Sequence, residues 1–293
     1  MIYIFLRGGF ANLYFQLAFA SHLSFLTGRD IKVLGNCKHP VLKTLYDDFF
    51  YDDSDERSNF NEQLLCFINN FPVTFIRLLR KCGFLSRQCV FCDTEIPSGS
   101  LAIVEKIKVI DSERDIYLYG YWQNFPTSFY QRGIPGLKKI LLEKVSSKSD
   151  KRGQDSGLAI HVRLGDYYKF INRIRFNNID EKYYLKWITF FVKNFGIESV
   201  DVYTDDVNNE RLVRLLRNAR ITYPEIEIRI LASDDLFLDL VSLSDYKYRI
   251  IGNSTYGALA GYLSIPRVTV TPKKWYNFRN TVVALPFSIY SLD

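Results

Sequence analysis

At 293 residues the chain exceeds the length that one hydrophobic core usually serves, so two domains of roughly 100 to 200 residues each are expected. With 47% hydrophobic and 24% charged residues it has the balance of a globular protein, and 23 Phe and 20 Tyr against one Met suit apolar clefts and interfaces. The formal charge of +6 favours anionic partners; nucleic acid is the poorest fit among them, because the basic residues are scattered and form only short runs such as residues 148 to 152.

The chain opens on a short apolar run ended by Arg7 and two glycines, too short for a signal peptide or a membrane span, and a cytoplasmic location is expected. Residues 2 to 6 read as a buried strand, followed by Arg7, Gly8 and Gly9 and an apolar helix over about residues 12 to 26. Glycines after a strand let the backbone approach a ligand closely, and the helix N-terminus offers free N–H groups to an anion. The spacing is not G-x-G-x-x-G, so a dinucleotide fingerprint is not supported. Thr27, Gly28 and Arg29 end the helix, and residues 31 to 34 read as the second strand of a βαβ unit.

Residues 41 to 91 are the least readable, rich in Phe, Leu and Asn with carboxylates at Asp47, Asp48, Asp52, Asp53, Asp55 and Glu56. Apolar positions at helical spacing over residues 64 to 82, interrupted by Pro72, read as core or as the wall of a binding site. The five cysteines, odd in number and unevenly spaced, fit reduced intracellular thiols better than a disulfide framework. Cys89 and Cys92 form a C-x-x-C, with Cys82 and Cys66 upstream. A zinc site would need a fourth ligand at suitable spacing, and none of the three His lies near, so these are read as packing cysteines.

Residues 116 to 120 read as a strand leading into Tyr121, Trp122, Gln123 and Asn124. Aromatic and amide side chains at a strand end suit a sugar and equally suit a packed corner of the core. Residues 146 to 157 contain no apolar side chain and have the composition of a linker, which puts a domain boundary at 152/153. Beyond it, strands at 158–162, 199–204, 226–231 and 249–252 alternate with helices at about 180–195, 208–217, 235–244 and 254–263, the pattern of a parallel, doubly wound sheet.

Two places in this half suit a phosphate. The strand at 158–162 delivers His161, Arg163 and Asp166 to its carboxyl end around Gly165, where open α/β sheets bind ligands, and an arginine fork suits a diphosphate. The plainer alternative is that Arg163 and Asp166 only pair with each other. Asn253, Ser254 and Thr255 stand where a helix begins, so that hydroxyls and free N–H groups share one place.

Five stretches, in order, carry a resemblance to a known family. Gly8-Gly9-Phe10-Ala11-Asn12 with Phe15-Gln16 is similar to a G-G-L-G-N-Q-M-F-Q start, and Tyr119-Gly120-Tyr121-Trp122-Gln123 to a G-Y-x-Q segment. His161-Val162-Arg163-Leu164-Gly165-Asp166-Tyr167 resembles H-x-R-R-G-D-Y, Val202-Tyr203-Thr204-Asp205-Asp206 a Y-S-D-D strand end, and Asp239 with residues 250 to 256 a D…I-I-x-N-S-[ST]-F stretch. The chain thereby resembles the family-11 glycosyltransferases, the α-1,2-fucosyltransferases that use GDP-L-fucose.

The resemblance implies a GT-B fold of two facing Rossmann-like domains with a cleft between them, residues 1–152 on the acceptor side and 153–293 binding GDP-fucose, and no required metal or other cofactor. It implies that Arg163 holds the donor pyrophosphate, that Asp239 accepts from the guanine edge, and that Ser254 and Thr255 bind the phosphates. Gly9, Asn12, His161 and Asn253 complete the donor side, and Tyr121, Trp122 and Gln123 the acceptor side. Asp166 is the nearest carboxylate for a general base. The implied acceptor is the 2-hydroxyl of a galactose-terminated glycan or lipid-linked oligosaccharide, as in O-antigen assembly with peripheral association at the inner membrane. Two departures stand out: Leu164 replaces the family's second arginine, and Leu13 its second amide. Rival readings are another GT-B fucosyltransferase, α-1,6 or protein-linked, and a non-catalytic sugar-nucleotide or glycan-binding protein.

Overall fold

Short apolar runs buried on both faces, Ile2–Phe5, Ile116–Tyr119, Gly157–Val162 and Tyr248–Ile251, form strands in two all-parallel sheets, as expected where helices cover both sides. The computed structural model describes residues 1–34, 40–46, 89–92, 102–110, 114–123, 125–145, 156–165, 179–231, 235–264, 268–275 and 288–291. The helical reading of residues 64 to 82 and the roles of Cys66 and Cys82 lie outside them.

In the first sheet, β1 (Ile2–Phe5) pairs in parallel with β2 (Ile31–Leu34) and with β4 (Ile116–Tyr119), and β4 pairs with β3 (Cys89–Cys92), in the order β2-β1-β4-β3. Helix α1 (Phe10–Thr27) buries eleven of its residues and ends at Gly28, whose left-handed φ of 68° lets its N–H reach the Ser24 carbonyl. Helices α2 (Pro40–Leu45), α3 (Ala102–Lys108), α4 (Ser128–Gln131) and α5 (Ile134–Val145) follow among the described residues.

The second sheet holds β5 (Gly157–Val162), β6 (Ser199–Thr204), β7 (Glu227–Leu231), β8 (Tyr248–Ile251), β9 (Val268–Pro272) and β10 (Ser288–Ser291), in the order β10-β9-β8-β5-β6-β7, every pair parallel. Helices α6 (Glu181–Phe195), α7 (Glu210–Thr222), α8 (Leu236–Asp245) and α9 (Thr255–Leu263) alternate with the strands. The even-numbered residues Leu158, Ile160, Val162, Val200 and Val202 form one apolar core with Tyr184, Ile188 and Phe191 of α6 and Leu212, Leu215 and Leu216 of α7. The alternation of a strand sends their odd-numbered neighbours, among them His161, Asp201 and Tyr203, to the other face.

That other face is polar. Asp201, fully buried, accepts from Arg229 Nε at 2.6 Å, from Arg229 Nη2 at 2.7 Å and from the Tyr246 hydroxyl at 2.5 Å. Arg249, also fully buried, donates through Nη1 to the carbonyls of Leu243, Ser244 and Tyr246, and so closes the C-terminus of α8.

The α/β class with parallel sheets is thus borne out. The chain divides into two units, Met1–Leu137 and Lys138–Asp293. The division falls within α5, ahead of 152/153. There the Lys138 ammonium reaches the Leu263 carbonyl at 3.2 Å, which ties the later turns of α5 to the second unit. Among the described residues no helix is long and apolar enough to cross a membrane.

Candidate functional site

In each sheet one strand separates the direction in which the chain winds, and a ligand crevice is expected outside the carboxyl ends of the strands at that point. In the second unit the chain winds from β5 through β6 to β7 and then returns to β8 on the far side of β5. The crevice therefore lies where β5 and β8 end, and His161, Arg163, Asn253, Ser254 and Thr255 all emerge there.

The two strand ends are fastened together. The Gly252 N–H donates to the His161 carbonyl at 3.2 Å. A Cβ on Gly252 would stand 2.6 Å from the Tyr184 hydroxyl, so glycine is required for the chain to pass. A Cβ on Gly257 would meet the Ile251 side chain at 3.0 Å and His161 Nδ1 at 3.2 Å, so α9 lies close over both strands. Ser254 is the N-cap of α9, 3% exposed, with extended backbone, yet its hydroxyl makes no capping bond. The helix start thus keeps N–H groups that its cap does not satisfy. Asn253 has a structural duty: its amide donates to the Trp275 carbonyl at 3.0 Å and anchors the loop.

His161 is buried, with its ring 5.3 Å from that of Tyr256 and its Nδ1 without a hydrogen-bond partner among the described residues. Burial, and next the Arg163 guanidinium, push its pKa down to about 4 against the opposing pull of Asp205, so the imidazole is neutral at pH 7. Asp166, with its expected pairing to Arg163 and its reading as a general base, lies outside the described residues. Arg163 Nη1 pairs with Asp205 Oδ2 at 2.8 Å. Asp205 also accepts the Leu164 N–H on Oδ1 at 2.7 Å and the Gly165 N–H on Oδ2 at 3.0 Å. Leu164 continues the even-numbered row into the apolar core and is 2% exposed. That accounts for the leucine in place of a second arginine: this position faces hydrocarbon.

Asp239 sits in the first turn of α8, whose N-cap Asp235 accepts from the N–H groups of Phe237 and Leu238. The Tyr256 hydroxyl donates to the Leu236 carbonyl at 2.7 Å, linking the start of α9 to the turn that carries Asp239. Burial foremost, and then the Asp239 carboxylate, hold the Tyr256 hydroxyl well above its usual pKa. Among the described residues no group of three or more His, Cys, Asp or Glu side chains converges as metal ligands would.

In the first unit the winding reverses between β1 and β4, and the segments after these strands carry Gly9, Asn12 in the first turn of α1, Tyr121, Trp122 and Gln123. Gly8 has φ +93°, and a Cβ there would lie 2.5 Å from Asn12 Nδ2. The Gln123 amide donates to Asn12 Oδ1 at 2.8 Å, joining the loop after β4 to the start of α1. Gln16, fully buried, holds both the N–H and the carbonyl of Arg7, at 3.0 and 2.7 Å. Tyr121 is 37% exposed, with the Arg7 guanidinium 6.0 Å from its ring centroid. Trp122 lies instead in the core, 0% exposed and stacked on Phe19 at 4.6 Å, so it offers no face to a sugar. Its φ of 52°, uncommon for a bulky residue, turns Tyr121 outward, and the Tyr130 hydroxyl holds its carbonyl at 2.6 Å.

Asp205 and Gln16 stand in the motif stretches and Arg7 just ahead of the first, but the sequence assigned none of them a place in a site. The signal for Asp205 was its position: Val162 pairs with Thr204, so Arg163 and Asp205 are the first residues past two paired strand ends.

No family model matches the chain, and no curated protein matches it. Among solved structures, an Arg-to-Lys mutant of FUT1 from Arabidopsis thaliana in complex with GDP is similar at 11% identity, covering 92% of this chain and 69% of that chain with a TM-score of 0.49. POFUT1 in complex with GDP-fucose is similar at 12% identity, covering 99% of this chain and 97% of its own, with a TM-score of 0.42. The chain is also similar to the α-1,6-fucosyltransferase NodZ soaked with GDP-fucose, at 15% identity over 90% of this chain and 92% of that one, with a TM-score of 0.45.

Proposed function

We propose that the protein is an inverting glycosyltransferase that moves L-fucose from GDP-β-L-fucose to the 2-hydroxyl of a terminal β-galactoside. The observation that carries this reading is the bond between the Gly252 N–H and the His161 carbonyl, which makes the Arg163 loop and the Ser254 helix start neighbours at one crevice. As the anomeric carbon–oxygen bond breaks, negative charge grows on the departing diphosphate. Arg163 and the N–H groups at the start of α9 meet that charge, and Ser254 keeps a hydroxyl that its cap position does not use. Asp239 accepts from guanine N1 and N2, donors that adenine lacks at those positions. The acceptor hydroxyl attacks from the opposite face through an oxocarbenium-like state, its oxygen bonding to the anomeric carbon while its proton passes to a general base, for which Asp166 is the motif's candidate carboxylate, and yields an α-linkage. His161, kept neutral by burial, serves as a wall of the site.

The acceptor side is the pair of loops after β1 and β4, where exposed Tyr121 gives a sugar an apolar face. A galactose-terminated glycan or lipid-linked oligosaccharide of a bacterial surface glycan is the acceptor this reading implies, met at the cytoplasmic face of the membrane. The test is incubation with GDP-fucose and a panel of galactosides, followed by linkage analysis of the product. An α-1,2-fucosyl galactoside is expected. Fucose at a 6-position or on a peptide replaces the linkage assigned here, and GDP-fucose binding without turnover makes the protein a binder.

A further inference from the structure

We propose that Asp205 is the positioning residue of the donor site: it fixes the loop after β5 and with it the direction of the Arg163 guanidinium. The proposal rests on the reading of Arg163 as the pyrophosphate-holding group.

Three donors converge on this one carboxylate. The Leu164 N–H reaches Oδ1 at 2.7 Å, while the Gly165 N–H at 3.0 Å and Arg163 Nη1 at 2.8 Å share Oδ2. Such convergence of two successive backbone N–H groups and a guanidinium is how proteins build an anion cradle, and here the chain's own side chain occupies it. The approach is close: a Cβ on Gly165 would lie 2.6 Å from Asp205 Oδ2, so a larger residue there would have to displace the carboxylate.

The arrangement contributes orientation more than stability. The Arg163 and Asp205 side chains are 35% and 25% exposed, and ion pairs in contact with water add little to folding. An arginine at the end of a flexible stem, however, acts on a diphosphate only when its planar fork points the right way. With Leu164 turned into the core, no second cation at that motif position shares the task, and the direction of Arg163 is set from the neighbouring strand.

The experiment takes the full chain with Asp205→Asn, Asp205→Ala and Asp205→Asn combined with Arg163→Lys. It measures kcat and KM for GDP-fucose, the melting temperature, and amide hydrogen exchange at Leu164 and Gly165. In Asp205→Asn, kcat falls roughly 10- to 100-fold while KM changes little, because a misdirected group is lost mainly in the transition state. The Leu164 and Gly165 amides exchange faster, and the melting temperature moves by a few degrees. In the Arg163→Lys background the Asp205→Asn change adds no further loss, since the residue acts through Arg163. Losses that multiply in the double variant, or exchange and kcat both unchanged in the single ones, overturn the proposal. Should the wild-type chain neither bind GDP nor turn over GDP-fucose, the functional reading falls. The exchange data then judge Asp205 alone, and unaltered protection at Leu164 and Gly165 rejects it. If Asp205→Ala fails to fold, the isosteric Asn variant carries the decision.

Discussion

Arg163 and Leu164 leave the same strand in opposite directions, one toward water and Asp205, the other into hydrocarbon. Arg163→Lys keeps the charge and loses the fork, so kcat for GDP-fucose should fall roughly 10²-fold while the melting temperature stays put. Steady-state turnover paired with a melting curve checks this, and a variant that turns over like wild type removes Arg163 from the chemistry. His161 makes a prediction about stability. Its folded pKa near 4 lies below the unfolded value of 6.5, so within that window the unfolded chain holds a proton that the folded chain refuses. Stability therefore falls as pH drops through the window and is unaffected above it. Roughly 2 kcal/mol of the difference between pH 7 and pH 5 should belong to this residue. In urea titrations the unfolding free energy should drop between pH 7 and pH 5 by about that much more in wild type than in His161→Gln. At this scale the motif residues were legible because strand ends are marked by charges and glycines. Asp205 as a partner of Arg163 was not, because it depends on the register of two strands far apart in sequence, and Trp122 stayed open between a sugar face and a core corner because a strand-end aromatic carries no mark of which way it turns; the structure buries it.

Helix α8 shows how an element can be held by a residue outside it. Arg249, on β8, supplies one guanidinium nitrogen to three carbonyls at the end of α8, so the helix terminus is satisfied inside the protein and not by water. Arg249→Met fills a similar volume but leaves those carbonyls unpaired. It should cost about 3 kcal/mol or more in equilibrium denaturation, and a loss under 1 kcal/mol would mean that water already serves them. Loosening α8 also loosens the turn that carries Asp239. Elements with strong alternation or helical spacing, such as β5, β6, β8 and α9, were legible to within a residue or so. Helix α7 runs to Thr222, past the expected end at 217, because nothing breaks the chain before Tyr223 and Pro224. Helix α5 was hidden by Pro135 and Gly136, yet both stand in its first turn, where a missing N–H costs no helical bond.

Across the molecule, the expected chemistry is charge stabilisation by fixed protein groups. Transfer should persist in excess EDTA, with Arg163 and the start of α9 meeting the leaving diphosphate. Loss of activity that Mg²⁺ or Mn²⁺ restores would sink that mechanism. The two-unit α/β plan was legible from the alternation of strands and helices. The division into Met1–Leu137 and Lys138–Asp293 falls inside α5, whose Lys138 ammonium reaches the Leu263 carbonyl. The strand order of the second sheet has one more consequence, for synthesis. On the ribosome β6 and β7 emerge soon after β5 and can pair on one side of it, whereas β8 follows only once both are made. Until Tyr248–Ile251 appears, the nascent chain carries β5 with one edge bare and open to pairing with other chains. The seam between β5 and β8, where a nucleotide is proposed to rest, is the last to close around β5, and a newborn chain has no donor crevice until it does.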